Sequence, residues 1–142
     1  MHTASTAGPA GLGTTVQRRS LLQGAAVATL VNSALWAGGR AADVSFLAAP
    51  VAGDAAMRVG IVLVVLTTLL MFAAGSGLLA LAARRSRTWV RAVIGAAALV
   101  AVVSAGGPLA TAHDTATGVL LAAMHLVTGV AFLVAASRVG AR

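Results

Sequence analysis

Polar side chains that could take part in chemistry are few in this chain, and they fall inside long apolar stretches. His125 is the clearest of them, because an imidazole can act as a general acid or base or can hold a ligand. It lies in an uncharged run that extends from residue 115 to residue 137. Asn32, Thr67 and Thr68 lie in two other uncharged runs. His125 and Asn32 are therefore candidate catalytic residues, and all four are candidates for substrate binding.

The spacing of the histidines and acids argues against the common catalytic and metal centres. His113, Asp114 and His125 lack the separation of three or four residues that places two metal ligands on one helix face. Asp114 and His125 could share a helix face, but they would lie about 16 Å apart along it. The sequence has no cysteine, no phosphate-binding loop and no nucleophile elbow. We expect no metal ion and no cofactor, and we expect Asp114 to cap a helix.

The composition indicates that lipid surrounds the elements that hold these residues. Of 142 residues, 59% are hydrophobic and 9% are charged, whereas a soluble domain carries about 25% charged residues. The mean hydropathy is +0.96. Four uncharged runs each have roughly the 20 residues that are needed to cross a bilayer.

The predicted fold is therefore an all-α, four-helix transmembrane bundle. Its single domain covers residues 18–142, with spans at about 20–39, 59–83, 89–107 and 115–137. The preceding residues 1–17 are small, polar and rich in glycine and threonine, so we expect a disordered cytoplasmic tail.

The arginines predict the orientation. Eight of the ten precede span one, connect spans two and three, or follow span four, with no acid among them. Cytoplasmic loops carry the excess of basic residues, so both ends of the chain are predicted to be cytoplasmic. This describes a multi-pass protein of the bacterial cytoplasmic membrane. The same asymmetry accounts for the high pI without a nucleic-acid partner.

The stretch QRRSLLQGAAVATLVNSALW, residues 17–36, permits two interpretations. It is close to a twin-arginine export signal, and it is also typical of a first membrane helix with cytoplasmic arginines. Three further spans follow it rather than a soluble domain, and Trp36 falls where an interfacial aromatic belongs. We therefore prefer a retained helix. A cleaved signal would leave a mature N-terminus near Ala41 or Ala42.

Depth along the spans predicts that the polar side chains meet. His125 lies about 15 Å into span four, and Asn32 and the two threonines lie about 12 Å from the same membrane face. An unpaired polar group in lipid costs several kcal/mol. We therefore expect these side chains to converge, with Asn32 as the hydrogen-bond partner of His125.

Small residues on span four predict a close helix contact. Gly118, Ala122, His125 and Gly129 recur at spacings of three and four, so they share one face. A neighbouring backbone could approach that face closely, which would place His125 in a packed seam. Gly118, Gly129 and Asp114 are thus assigned structural roles. Pro108 is expected to end or bend span three.

Two segments together resemble a known family. They are the loop GGRAADVSFLAAPVAGDAAMRVG and the later stretch SAGGPLATAHDTATGVLLAAMHLVTGVAFLVAASR. The family consists of small four-helix membrane proteins from high-GC Gram-positive bacteria and is known only as a domain of unknown function. The resemblance covers about residues 18–137, and its most specific part is Gly107-Pro108-Leu109 followed by Met124-His125-Leu126. It implies the four-helix fold and no known activity.

Two classes of function fit these residues. The preferred one is a non-catalytic accessory or partner-binding unit, whose partner is a second copy or another membrane protein. The alternative is a membrane-embedded enzyme or binder of a lipid or isoprenoid-like substrate, which would use the polar layer around His125. A small transporter is weaker, because no span contains a carboxylate to carry a proton. A cavity of roughly a few hundred Å³ around His125 would favour the second class, and a packed seam the first.

Overall fold

Four long helices and a short hairpin form the described part of the chain. The computed structural model describes residues 10–50 and 53–140, and the side chains of residues 18–50 and 53–138. In chain order the elements are α1 (Ala10–Ala41), β1 (Leu47–Ala48), β2 (Met57–Arg58), α2 (Ile61–Ala83), α3 (Arg87–Thr111) and α4 (Thr115–Gly140). All four helices are long and apolar enough to cross a membrane. The predicted all-α fold with four membrane-length helices is confirmed.

Two helix boundaries depart most from the predicted ones. α1 begins at Ala10, inside the segment that was expected to be disordered, and residues 1–9 of that segment lie outside the described residues. A helix that has already formed at Arg18 extends at little cost, because each further residue adds one hydrogen bond. α3 continues through Pro108 to Thr111. A proline so close to a helix end removes only one intrahelical bond.

Helix α4 forms the most extensive contacts in the bundle. It packs mainly on α3 and α1, whereas α2 packs on α1 and touches α3 and α4 sparsely. Short turns join α2 to α3 and α3 to α4, so successive helices run in opposite directions. One end of the bundle, here named the hairpin end, holds β1, β2 and the turn at residues 112–114. The opposite end, the arginine end, holds the α2–α3 turn with Arg84 and Arg85.

Two buried clusters fill the bundle on either side of its middle. The cluster nearer the hairpin end consists of Phe46, Ala48, Val64, Leu121 and Met124. The cluster nearer the arginine end consists of Ala28, Phe72, Leu79, Phe132 and Ala136. Between the two clusters lies a layer of polar side chains.

The small-residue face of α4 packs against α3. A Cβ atom on Gly118 would lie 3.2 Å from the carbonyl oxygen of Pro108. A Cβ atom on Gly129 would overlap the side chain of Ala101. These two glycines therefore permit the close approach of α3 and α4.

The segment between α1 and α2 covers the hairpin end. β1 and β2 pair antiparallel, with Leu47 opposite Arg58. β1 also joins the end of α3, because the Ala49 N–H donates to the Thr111 carbonyl at 3.1 Å and the His113 N–H donates to the Leu47 carbonyl at 2.9 Å. These bonds hold the hairpin over the helix ends.

Phe46 anchors this segment to α4. Its ring is fully buried, with its centroid 6.1 Å from that of Trp36. Its N–H donates to Thr117 Oγ1 at 3.0 Å. The φ angle of Phe46 is +52°, in the left-handed region, which costs a residue with a Cβ about 1–2 kcal/mol. Burial of the ring, which contributes about 1.5–3 kcal/mol, offsets that cost.

Candidate functional site

A crevice of about 740 Å³ runs along the bundle between α2 and α3. α2 and α3 form its walls, α4 forms its floor, and residues 48–50 with Val59 cover its hairpin end. The rim side chains Met71 and Val100 are 51% and 50% exposed. The crevice therefore opens sideways, on a surface that a membrane-spanning bundle would present to lipid.

The crevice is long. Its lining extends from Leu63 to Leu78 on α2 and from Val93 to Thr111 on α3, or about 22 and 27 Å at 1.5 Å per residue. A groove of this length suits an elongated ligand.

Polar side chains line only the half of the crevice nearer the hairpin end. They are Asn32, Thr67, Thr68, Ser104, Thr111, His125 and Thr128. The half nearer the arginine end is lined by apolar residues, among them Phe72, Ala74, Leu78, Val93, Ala96 and Phe132. No group of three histidine or acidic side chains within the described residues could hold a metal ion.

The amide of Asn32 joins three helices. Its Nδ2 donates to Thr68 Oγ1 on α2 at 3.0 Å and to Thr128 Oγ1 on α4 at 2.9 Å. Both hydroxyls donate their own hydrogen to the carbonyls of Val64 and Met124, at 2.8 Å each. They must therefore accept from Asn32, which fixes the orientation of the amide. Asn32 is 1% exposed, and its Oδ1 has no hydrogen-bond partner.

His125 lies on the crevice floor, apart from this amide layer. Its Nδ1 is 2.8 Å from the carbonyl oxygen of Leu121. A carbonyl only accepts, so Nδ1 carries the hydrogen and Nε2 of the neutral ring remains an acceptor. The predicted Asn32–His125 hydrogen bond is wrong, because Asn32 binds Thr128 instead. The prediction that His125 lies in a packed seam is also wrong, since the residue is exposed and lines the crevice, although Gly118 and Gly129 on the same face do pack against α3.

Thr67 and Thr68 have different surroundings. Thr68 is buried in the amide layer, whereas Thr67 is exposed and donates to the Leu63 carbonyl at 2.7 Å. Consecutive helical residues point about 100° apart, so only one of the two can face Asn32. Of the four residues that were predicted to converge, only Asn32 and Thr68 are therefore joined by a hydrogen bond. Thr67 and His125 bond within their own helices instead. Thr128 was missed, although its hydroxyl stands three residues beyond His125 in the same span.

Asp114 caps α4 and binds the hairpin segment. Its Oδ1 accepts from the Thr117 N–H at 2.8 Å, and its Oδ2 accepts from Ser45 Oγ at 2.5 Å and Thr117 Oγ1 at 2.8 Å. The hydrogen bond from Ser45, followed by the two from Thr117, lowers the pKa of Asp114 below its ordinary value of 3.8. The resulting carboxylate lies at the positive end of the helix dipole.

The comparison with known protein families assigns the chain to one of them. The model of DUF6069, a family of unknown function, matches residues 13–142. The chain belongs to this family. No curated protein and no solved structure matches it. Because the function of DUF6069 is unknown, membership assigns no activity to the chain.

Proposed function

We propose that this protein binds a lipid-like ligand with one long hydrocarbon chain in the crevice between α2 and α3. The observation that carries the proposal is the open crevice of about 740 Å³ that His125 lines. A histidine with a purely structural role would lie in a closely packed contact between helices instead. The length of the crevice and its apolar half toward the arginine end support a hydrocarbon chain as the occupant.

The proposed setting is the bacterial cytoplasmic membrane, with both chain ends on the cytoplasmic side. Four membrane-length helices support the membrane setting. The arginine end, with Arg84, Arg85, Arg87 and Arg91 close in sequence, supports the orientation. The crevice then lies at the depth of the acyl chains and opens toward them.

Affinity in this setting cannot come from the hydrophobic effect alone. A chain that leaves the bilayer for the crevice exchanges one apolar environment for another. Close packing against the walls contributes only about 0.1–0.2 kcal/mol per pair of carbons. The polar half of the crevice must therefore provide selection of the ligand over ordinary membrane lipid.

Binding is favoured over catalysis by the groups that line the crevice. A proton transfer needs a positioned acid or base within hydrogen-bond reach of the reacting group. His125 is the one titratable side chain among the described lining residues, and its Nδ1 is hydrogen-bonded to the backbone carbonyl of Leu121. The lining thus offers recognition groups without a second catalytic group.

Photolabelling of the protein in lipid nanodiscs tests the proposal. A long-chain alcohol that carries a diazirine near its tail should label crevice residues such as Met71 and Val100. Ala74→Phe should lower that labelling several-fold, because Ala74 lines the crevice and is exposed. The matched control is Ala73→Phe, an exposed neighbour that does not line it. Equal labelling of the two variants would contradict the proposal.

A further inference from the structure

We infer that the crevice selects a neutral lipid whose polar end is a hydroxyl group that donates a hydrogen bond. This inference rests on the proposed function and adds the chemical class of the ligand. Long-chain alcohols and quinols belong to that class, whereas phosphates, carboxylates and ketones do not. The observation behind it is that the polar lining presents hydrogen-bond acceptors and keeps its donors occupied.

The hydroxyl groups of the crevice use their hydrogens within their own helices. Each of the five donates to a backbone carbonyl three or four residues earlier. The pairs are Thr67 with Leu63 (2.7 Å), Thr68 with Val64 (2.8 Å), Ser104 with Ala101 (3.3 Å), Thr111 with Gly107 (3.1 Å) and Thr128 with Met124 (2.8 Å). What each hydroxyl still offers to a ligand is an oxygen lone pair.

Asn32 and His125, the two side chains of the crevice that carry nitrogen, also use their N–H groups within the protein. Both N–H groups of the Asn32 amide are taken by Thr68 and Thr128, while its Oδ1 has no partner and Asn32 itself is 1% exposed. The Nδ1–H of His125 is taken by Leu121, which leaves Nε2 as an acceptor. The hydrogen-bonding capacity that these two side chains leave unused is therefore that of acceptors.

Pro108 removes one backbone donor from the α3 wall of the crevice. Proline has no N–H, so the carbonyl of Ser104, four residues earlier, lacks its usual intrahelical donor. Ser104 and Pro108 both line the crevice.

A hydroxyl-bearing lipid complements this arrangement at both ends. Its O–H can donate to His125 Nε2 in the polar half, while its chain lies in the apolar half toward the arginine end. A fully ionised phosphate or a carboxylate would bring only acceptors and a charge, and no arginine lines the described crevice. A ketone likewise offers only a hydrogen-bond acceptor. The acceptors of the crevice would stay unpaired beside it, which costs free energy.

Competition against the photoreactive alcohol tests the inference with three lipids that share one chain. Farnesol, farnesyl methyl ether and farnesyl phosphate are compared at equal concentrations in the nanodisc membrane. Farnesol should displace the probe at a concentration about three- to tenfold lower than the methyl ether, the range expected for one hydrogen bond. Farnesyl phosphate should compete no better than the ether.

Variants place the discrimination at His125. His125→Leu removes the acceptor and should make farnesol and its methyl ether equivalent. His125→Gln retains an acceptor oxygen and should preserve part of the preference for farnesol. His113→Leu is the control, because His113 does not line the crevice and its replacement should leave the preference unchanged.

The outcomes separate the inference from the proposed function. Equal competition by farnesol and the ether in the unaltered protein, with labelling still sensitive to Ala74→Phe, overturns the hydroxyl selection alone. Stronger competition by farnesyl phosphate than by farnesol also overturns it. Labelling that is insensitive to Ala74→Phe overturns lipid binding in the crevice itself. The comparison in the unaltered protein decides the matter even where a His125 variant does not fold.

Discussion

At the scale of single residues, the polar layer shows how position on a helix decides the role of a side chain. Asn32, Thr68 and Thr128 come from three helices and meet in one network. Thr67 has the same side chain as Thr68 and nearly the same depth, yet it donates only to its own helix. The two threonines therefore form a matched pair for experiment.

Thr68→Val should destabilise the protein, whereas Thr67→Val should change its stability little. Valine at position 68 leaves one N–H of Asn32 without an acceptor, and interhelical hydrogen bonds of this kind contribute about 0.6–2 kcal/mol. Thermal unfolding in detergent, followed by circular dichroism, measures the difference. Equal loss of stability in the two variants would mean that the Asn32–Thr68 bond contributes nothing specific.

The sequence predicted the depth of the polar side chains but not their partners. Depth follows from counting residues along a span, which is why Asn32 and Thr68 could be placed in one layer. The partner of each side chain depends on how each helix is rotated about its axis. The face that carries His125 also carries Gly118 and Gly129, and both glycines pack on α3, whereas Asn32 lies on α1. The proposed Asn32–His125 pair failed for that reason.

At the scale of elements, the N-terminus of α4 and the hairpin segment are stabilised together. Asp114 accepts hydrogen bonds from Ser45 in the segment and from Thr117 in α4. Thr117 in turn accepts from the N–H of Phe46. The cap of α4 was predictable, because an aspartate before an apolar span is a common N-cap. The hairpin was not, because strands of two residues show no periodic pattern and the left-handed Phe46 carries no sequence signal.

Acid should release the hairpin segment from α4. The pKa of Asp114 in the folded protein lies below its ordinary value of 3.8. The Asp114 carboxylate therefore contributes fully to the stability of the fold above about pH 4. This contribution is lost as the pH falls below 3.8 and then through the lowered pKa of the folded protein. In a Trp89→Phe background, the fluorescence of Trp36, which donates to the Val59 carbonyl at 3.0 Å, reports the loss as a red shift.

Two substitutions sharpen this pH experiment. Ser45→Ala removes the hydrogen bond that lowers the pKa of Asp114 most, so the red shift should begin at a higher pH. Asp54→Asn alters an exposed carboxylate in the same segment and should leave the transition unchanged. A transition that follows Asp54 rather than Asp114 would refute the assignment.

At the scale of the whole molecule, the arrangement of the arginines makes the orientation testable. The chain contains no cysteine, so single cysteines report their own accessibility without further engineering. In intact cells, a membrane-impermeant maleimide should label Asp54→Cys, at the hairpin end, and should spare Arg85→Cys, at the arginine end, until the cells are opened. The reverse pattern would place the chain ends outside.

The number of helices was predictable from composition, and the crevice was not. Four uncharged runs of membrane length require four helices in lipid, whatever their packing. The gap between α2 and α3 depends instead on the sparse contact of α2 with α3 and α4, which a hydrophobic pattern cannot predict. Glycines such as Gly129 indicated a close contact on α4, and the structure shows that this contact draws α3 toward α4.

The sideways mouth of the crevice has a practical consequence for handling the protein. Since residues 48–50 and Val59 cover the hairpin end, the proposed lipid would enter and leave the crevice by diffusion in the plane of the bilayer. Dilution into buffer would then not remove it, whereas detergent tails would compete with it during solubilisation. Extraction with a polymer that excises a patch of membrane should therefore keep the proposed lipid in place for mass spectrometry.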